Sequence, residues 1–187
     1  MGELKMGERT LPPLQSEIIR LLGERGALTK HEAAKELGKA YKNILFSFDS
    51  LKEKGLIEIV GEKEYRNQKF ETYWLTWKGI LEAYALGISL EKLKLHVFRY
   101  IKGELTPEIQ SGINAIFDFL RELGPERSRA FINCLDFSKQ PPTIKYLPFD
   151  LISGKEAEKI IKILSKYELY KNMLEKMLKE ISKIVSS

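Results

Sequence analysis

Two groups of side chains in this sequence combine cations, amides and aromatics at close spacing: Lys39, Tyr41, Lys42, Asn43, Phe46 and Ser47, then Arg66, Asn67, Gln68 and Lys69. Lysine and arginine neutralise phosphate and reach guanine edges, and asparagine or glutamine can pair in bidentate fashion with adenine, so the chemistry on offer is nucleic-acid recognition. Other chemistries lack their parts. His31 and His96 are the only histidines and Cys134 the only cysteine, which leaves no ligand spacing for a metal, no histidine-based triad and no internal disulfide. The 13 glycines are scattered at element ends, not gathered into a phosphate-binding loop. No cofactor, metal or catalytic residue is therefore expected, and Cys134 reads as a small buried hydrophobe.

The 187 residues are 43% hydrophobic and 30% charged, which suits one moderate domain or two small ones and argues against disorder. No stretch reaches the roughly 18 apolar residues that cross a bilayer, and the first ten residues lack a signal-like apolar segment, so a cytoplasmic protein without membrane contact is expected. The formal charge is +5, but residues 1–90 hold 14 Lys+Arg against 13 Asp+Glu and the remainder 17 against 13. Local charge must therefore carry any polyanion binding. From Lys39 to Lys54 it is +2, with Lys39, Lys42, Lys52 and Lys54 against Asp49 and Glu53. Abundant Lys, Glu and Ile with few Asn and Gln also resembles the usage of heat-loving organisms.

The elements that position these groups follow from periodicity. After Pro12-Pro13, the side chains Leu14, Ile18, Leu21 and Leu22 predict an amphipathic helix ending near Gly26. Thr29-Lys30-His31-Glu32 has the form of a capping box and opens a second helix with Ala33, Ala34 and Leu37 inward. Gly38-Lys39-Ala40 is a turn of helix-turn-helix length, and a third helix over 40–54 should bury Ile44, Phe48 and Leu51. Its opposite face presents Tyr41, Lys42, Asn43 and Ser47. Phe46 has two readings: it belongs to the core, or it joins the DNA-facing set and contacts a thymine methyl. Gly55 closes the helix, strands follow over 56–60 and 70–76, and the 61–70 hairpin between them is a wing with Arg66, Asn67, Gln68 and Lys69 at its tip. Glu62, Glu64 and Glu71 cancel the hairpin's net charge, which leaves open a solvated hairpin that touches nothing.

The order of three helices and a two-stranded wing, with Leu51-Lys52-Glu53-Lys54-Gly55-Leu56-Ile57 before the wing and Leu75-Thr76-Trp77-Lys78-Gly79 after it, resembles the winged-helix regulators of the MarR and PadR type over about residues 11–87. The resemblance implies a dimeric transcription factor that binds double-stranded DNA, with Tyr41, Lys42, Asn43 and Phe46 facing the major groove and Arg66 in the wing. Phe46 departs from that pattern, where a polar or basic side chain is usual.

Beyond the wing the sequence is helical almost throughout: helices over 78–86 and 90–102, and one started by Thr106-Pro107 with Ile109, Ile113, Ile116, Phe117, Leu120 and Leu123 as its apolar face. Gly124-Pro125 starts a further helix to about Leu135, and the proline-rich stretch 138–152 is an extended connection. A long amphipathic helix is expected over 155–185. Ile160, Ile163, Tyr167, Tyr170, Leu174, Met177, Ile181 and Ile184 set a heptad seam on it, suited to pairing with a second copy or, alternatively, to folding back on its own domain. The expected fold is thus mainly α with a small β-wing. A winged helix-turn-helix DNA-binding domain over 11–87 precedes a helical dimerisation or effector domain over 88–187. The expected function is that of a homodimeric DNA-binding regulator, neither enzyme nor membrane protein. The alternatives are a winged-helix interaction scaffold and a plasmid replication or segregation factor. Phe98, Tyr100, Phe117 and Phe119 are aromatics that a small-molecule effector pocket would use, although plain core is the simpler reading.

Overall fold

Proline at the first helical position, where its missing N–H costs nothing, starts α1 (Pro13–Arg25). This computed structural model describes residues 11–100, 105–126 and 128, with two short strands at Leu135–Asp136 and Thr143–Ile144. α1 buries Ile18, Ile19 and Leu22, while Leu14 and Leu21 are only partly covered, so its inward stripe is rotated slightly from the expected one. α2 (Lys30–Leu37) opens on the expected capping box. Thr29 Oγ1 accepts from the Glu32 amide at 3.1 Å and the Glu32 carboxylate accepts from the Thr29 amide at 2.8 Å, an arrangement that contributes about 1 kcal/mol. Gly38 ends α2 in the left-handed region, and α3 (Tyr41–Glu53) packs on α1 and α2 with Ile44, Phe48 and Leu51 fully buried, as their spacing predicts.

The hairpin is longer than expected. β1 (Ile57–Tyr65) and β2 (Gln68–Leu75) pair antiparallel until Tyr65 stands opposite Gln68, so most of the 61–70 stretch is ladder, closed by the two-residue turn Arg66-Asn67. Val60 is the extra residue of a bulge between Ile59 and Gly61, and a bulge bends and twists its strand. On the body side of it, residues 72–75 are buried; beyond it, residues 61–71 are all exposed. The bulge marks where the hairpin leaves the body as a wing. Leu28 exchanges two backbone hydrogen bonds with Tyr73 (3.1 and 2.9 Å) and so adds a third extended segment at the wing's base.

The two segments flanking the wing dock on each other. Thr76 caps α4 (Trp77–Ala85) by accepting from the Gly79 amide at 3.1 Å, and its hydroxyl donates to the Gly55 carbonyl at 2.6 Å. The Thr76 amide donates to the Leu56 carbonyl at 3.1 Å, and the Lys78 ammonium to the Lys54 carbonyl at 3.1 Å, where α3 ends. Gly79 approaches so closely that a Cβ on it would lie 2.0 Å from the Leu56 carbonyl oxygen.

α5 (Leu90–Tyr100) and α6 (Pro107–Leu123) extend the same apolar cluster, which runs from Ile18 to Leu123. Thr106 caps α6 as expected. Its buried face is Ile113, Ile116, Phe117, Phe119, Leu120 and Leu123; Ile109, expected among them, is 40% exposed because it stands in the first turn, one turn ahead of where burial begins. The helix expected from Gly124-Pro125 to about Leu135 is described at residues 125, 126 and 128, and Leu135 itself is strand. Leu135–Asp136 (β3) pairs antiparallel with Thr143–Ile144 (β4), satisfying backbone groups on both sides of the proline-containing stretch. The helix expected over 155–185 with its heptad seam, the residues 101–102 and Cys134 lie outside the described residues. No helix among the described residues is long and apolar enough to cross a membrane.

Two of the described aromatics of the second half, Phe117 and Tyr100, pack against the tryptophans of the wing region. Phe117 lies against Trp77 with ring centroids 6.2 Å apart, and Tyr100 against Trp74 at 5.0 Å. Trp74 Nε1 donates to the Leu22 carbonyl at 3.0 Å, the Tyr100 hydroxyl accepts from the Ala27 amide at 2.8 Å, and the His96 ring stacks on Tyr100. Gly26 makes room for this joint: at φ 89 it adopts a conformation side chains resist, and a Cβ there would lie 2.5 Å from the Tyr100 hydroxyl. Burial holds the His96 pKa below its ordinary 6.5 despite a hydrogen bond to the Glu24 backbone, with Arg99 and Lys92 acting in the same direction as burial and the Glu24 charge against it.

Two outcomes follow. Gly79→Ala should cost about 3 kcal/mol, because backbone rather than a flexible side chain blocks the new methyl, and thermal unfolding should read a Tm lower by about 6–12 °C. Folded His96 takes up a proton less readily than the unfolded chain does, so its contribution is complete above pH 6.5 and is lost as pH falls below it. Between about pH 7 and pH 5, the Tm of the native protein should therefore fall more than that of His96→Gln, whose amide keeps a donor for the Glu24 carbonyl without titrating. Parallel curves would show that His96 does not set the slope.

Candidate nucleic-acid interface

The first turn of α3 points into solvent. Tyr41 is 50% exposed and Lys42 and Asn43 are exposed beside it, while Ser47 is half-buried on the flank. Phe46 is 61% exposed, which overturns the core reading. Two residues past Ile44 and two short of Phe48, it falls opposite both on a helix of 3.6 residues per turn. The Lys42 ammonium lies 6.0 Å from the centre of its ring. His31, exposed in the first turn of α2, brings its ring to 6.2 Å from that of Tyr41 and joins this surface. The capping box at Thr29 put His31 at a helix start, but no sequence spacing linked it to Tyr41.

Ion pairs decide which charges this surface offers. Lys54, counted in the local charge, donates to Gln15 Oε1 at 2.6 Å, and Gln15 donates to Ser50 at 3.1 Å; both bonds moor α3 to α1. Lys39 pairs with Glu17 at 3.6 Å. Lys30 takes Asp49 at 2.7 Å and also lies 5.3 Å from the Tyr73 ring centre, so one of the two acids on the outward side of α3, Asp49, is matched by a cation of α2. Lys42 makes no ion pair among the described residues, and its charge is available to a phosphate or a guanine edge.

The wing tip is strained. Arg66 and Asn67 have φ of 50 and 61, the mirror-image turn that matches strand twist. Asparagine accepts this conformation readily, whereas arginine there costs about 1–2 kcal/mol. The Arg66 guanidinium rests 5.2 Å from the Tyr65 ring centre. Gln68 and Lys69 are strand residues rather than loop, and Lys69 pairs with Glu62 at 3.6 Å in an exposed contact worth at most about 1 kcal/mol. Glu71 accepts from the Tyr73 hydroxyl. The base of the wing is held to α2 by Lys63, whose ammonium meets Glu32 at 2.8 Å. Burial alone would raise the Glu32 pKa, but hydrogen bonds from Lys63 and the Thr29 amide overcome it and leave the carboxyl below its ordinary 4.5.

Three helices and a projecting hairpin together make residues 13–75 a winged helix-turn-helix. Among the described residues no group of three His, Cys, Asp or Glu side chains is placed to hold a metal. No family model matches the sequence, and no curated protein does. Among solved structures, the chain is similar to a double mutant of ZitR from Lactococcus lactis, at 23% identity over 62% of this chain and 76% of that one, with a TM-score of 0.37. It is likewise similar to FabT from Streptococcus pneumoniae in complex with DNA, at 24% identity over 63% and 82%, with a TM-score of 0.37. The winged helix-turn-helix of this chain stands on its own elements.

Replacing Arg66 by Asn together with Asn67 by Gly supplies residues that the mirror-image turn prefers. The double variant should gain about 1 kcal/mol and melt about 2–4 °C higher. An unchanged or lower Tm would mean that the turn carries no strain.

Proposed function

We propose that this protein is a cytoplasmic, sequence-specific regulator of transcription that binds double-stranded DNA as a homodimer and performs no catalysis. In this reading α3 enters the major groove with Lys39, Tyr41, Lys42, Asn43, Phe46 and Ser47. The wing, through Arg66 with Asn67, Gln68 and Lys69, meets phosphates or the adjoining minor groove. The carrying observation is the exposure of the first α3 turn, with Lys42 making no ion pair among the described residues, on a helix whose opposite side is locked into the core. The heptad positions Ile160, Ile163, Tyr167, Tyr170, Leu174, Met177, Ile181 and Ile184 would join two copies, presenting two recognition helices to a pseudo-palindromic site.

The test is binding to duplexes selected from a random pool. Native protein should lose affinity steeply as salt rises, and Lys42→Glu with Arg66→Glu should bind at least about a hundredfold more weakly while melting at an unchanged temperature. Light scattering at micromolar concentration should read twice the chain mass. Equal DNA affinity in the double variant would defeat the assignment of Lys42 and Arg66 to the interface, absence of binding by the native protein would favour an interaction scaffold, and a monomer would remove the dimer.

A further inference from the structure

The DNA-binding reading leaves open what the most exposed aromatic of α3 is for. Phe46 projects from the middle of the outward face, one turn after Lys42, with 61% of its surface in water. A protein-docking patch would surround it with further apolar side chains. Its neighbours on this face are instead Lys42, Asn43, Asp49, Ser50 and Glu53. One apolar group set in a polar surface, with the Lys42 ammonium beside it and Asp49 matched by Lys30, complements one apolar group set among polar base edges. The major groove offers such a group, the 5-methyl of thymine, standing among hydrogen-bonding base edges and flanked by phosphates.

We infer that Phe46 is a specificity-determining residue that reads the 5-methyl group of a thymine in each half-site, while the Lys42 ammonium beside its ring engages the neighbouring phosphate or guanine edge. This rests on the DNA-binding reading above. The preference so created is for thymine over cytosine and over uracil at one position, and it is additional to any hydrogen bonds made by Asn43.

Substituting dU for dT, one position at a time, in a duplex selected by the native protein removes the methyl and keeps the base pair. Each dU at the contacted position should weaken native binding about fourfold, the worth of one buried methyl, and one in each half-site about fifteenfold, whereas the other positions should change little. Phe46→Ala, a change at an exposed site, should melt like the native protein, bind the dT duplex more weakly and bind its dU counterpart equally well. Phe46→Leu should keep part of the discrimination. Native protein that binds dT and dU duplexes alike at every position would overturn the inference and leave the DNA-binding reading standing. So would a Phe46→Ala variant that discriminates as strongly as the native chain. Failure of the native protein to bind any selected duplex would remove both.

Discussion

Among the described residues, Gly79 comes so close to the Leu56 carbonyl that no side chain fits between them, and the geometry of the winged helix depends on this contact. Leu56 follows the end of α3 and precedes the wing; Gly79 lies in the first turn of the helix after the wing. Holding these two points in contact closes the wing strands into a loop whose ends cannot drift. The Thr76 hydroxyl on Gly55 and the Lys78 ammonium on Lys54 then satisfy carbonyls that the end of α3 would otherwise leave open. One joint thus sets both the termination of α3 and the root of the wing. Any other residue at position 79 would have to move backbone, and backbone at this point belongs to both elements.

A second joint carries the same constraint into the later helices. Tyr100 and His96 of α5 press on Gly26 and Ala27, the residues between α1 and α2, while Trp74 of the wing strand donates to Leu22 of α1. Leu28, next in sequence, is hydrogen-bonded to Tyr73. A displacement of α5 cannot therefore be confined to α5. It reaches the start of α2 through the Gly26-Ala27-Leu28 segment and the wing through Trp74 and Tyr73, the neighbouring residues of one strand.

Much of this was legible because periodicity and capping are local. Ile44, Phe48 and Leu51 define the rotation of α3 by themselves, and Thr29 with Glu32 fixes the start of α2. Phe46 shows the two signals in conflict, hydropathy drawing it inward and spacing sending it out. Spacing prevails because three residues already commit the opposite face. The wing's true length was hidden for a different reason. Residues 61–71 face water on both sides, so no alternation of polarity marks them as strand, and Arg66-Asn67 lacks the glycine that advertises a tight turn. Contacts between distant segments, such as His31 with Tyr41 or Gln15 with Lys54, leave no periodic trace at all. The docking of Gly79 on Leu56 was visible only as two sequence segments, not as one contact.

The conflicts between local preference and observed structure are informative by where they fall. An arginine in a left-handed turn and a phenylalanine in water each oppose stability, and either could be relieved by a single exchange without disturbing the core. Positions 66 and 46 lie on different elements, one at the wing tip and one on the outward face of α3, the two places where a winged helix meets a duplex. In the proposed complex Arg66 would gain a phosphate and Phe46 a methyl group, and what each withholds from the free protein would be returned there.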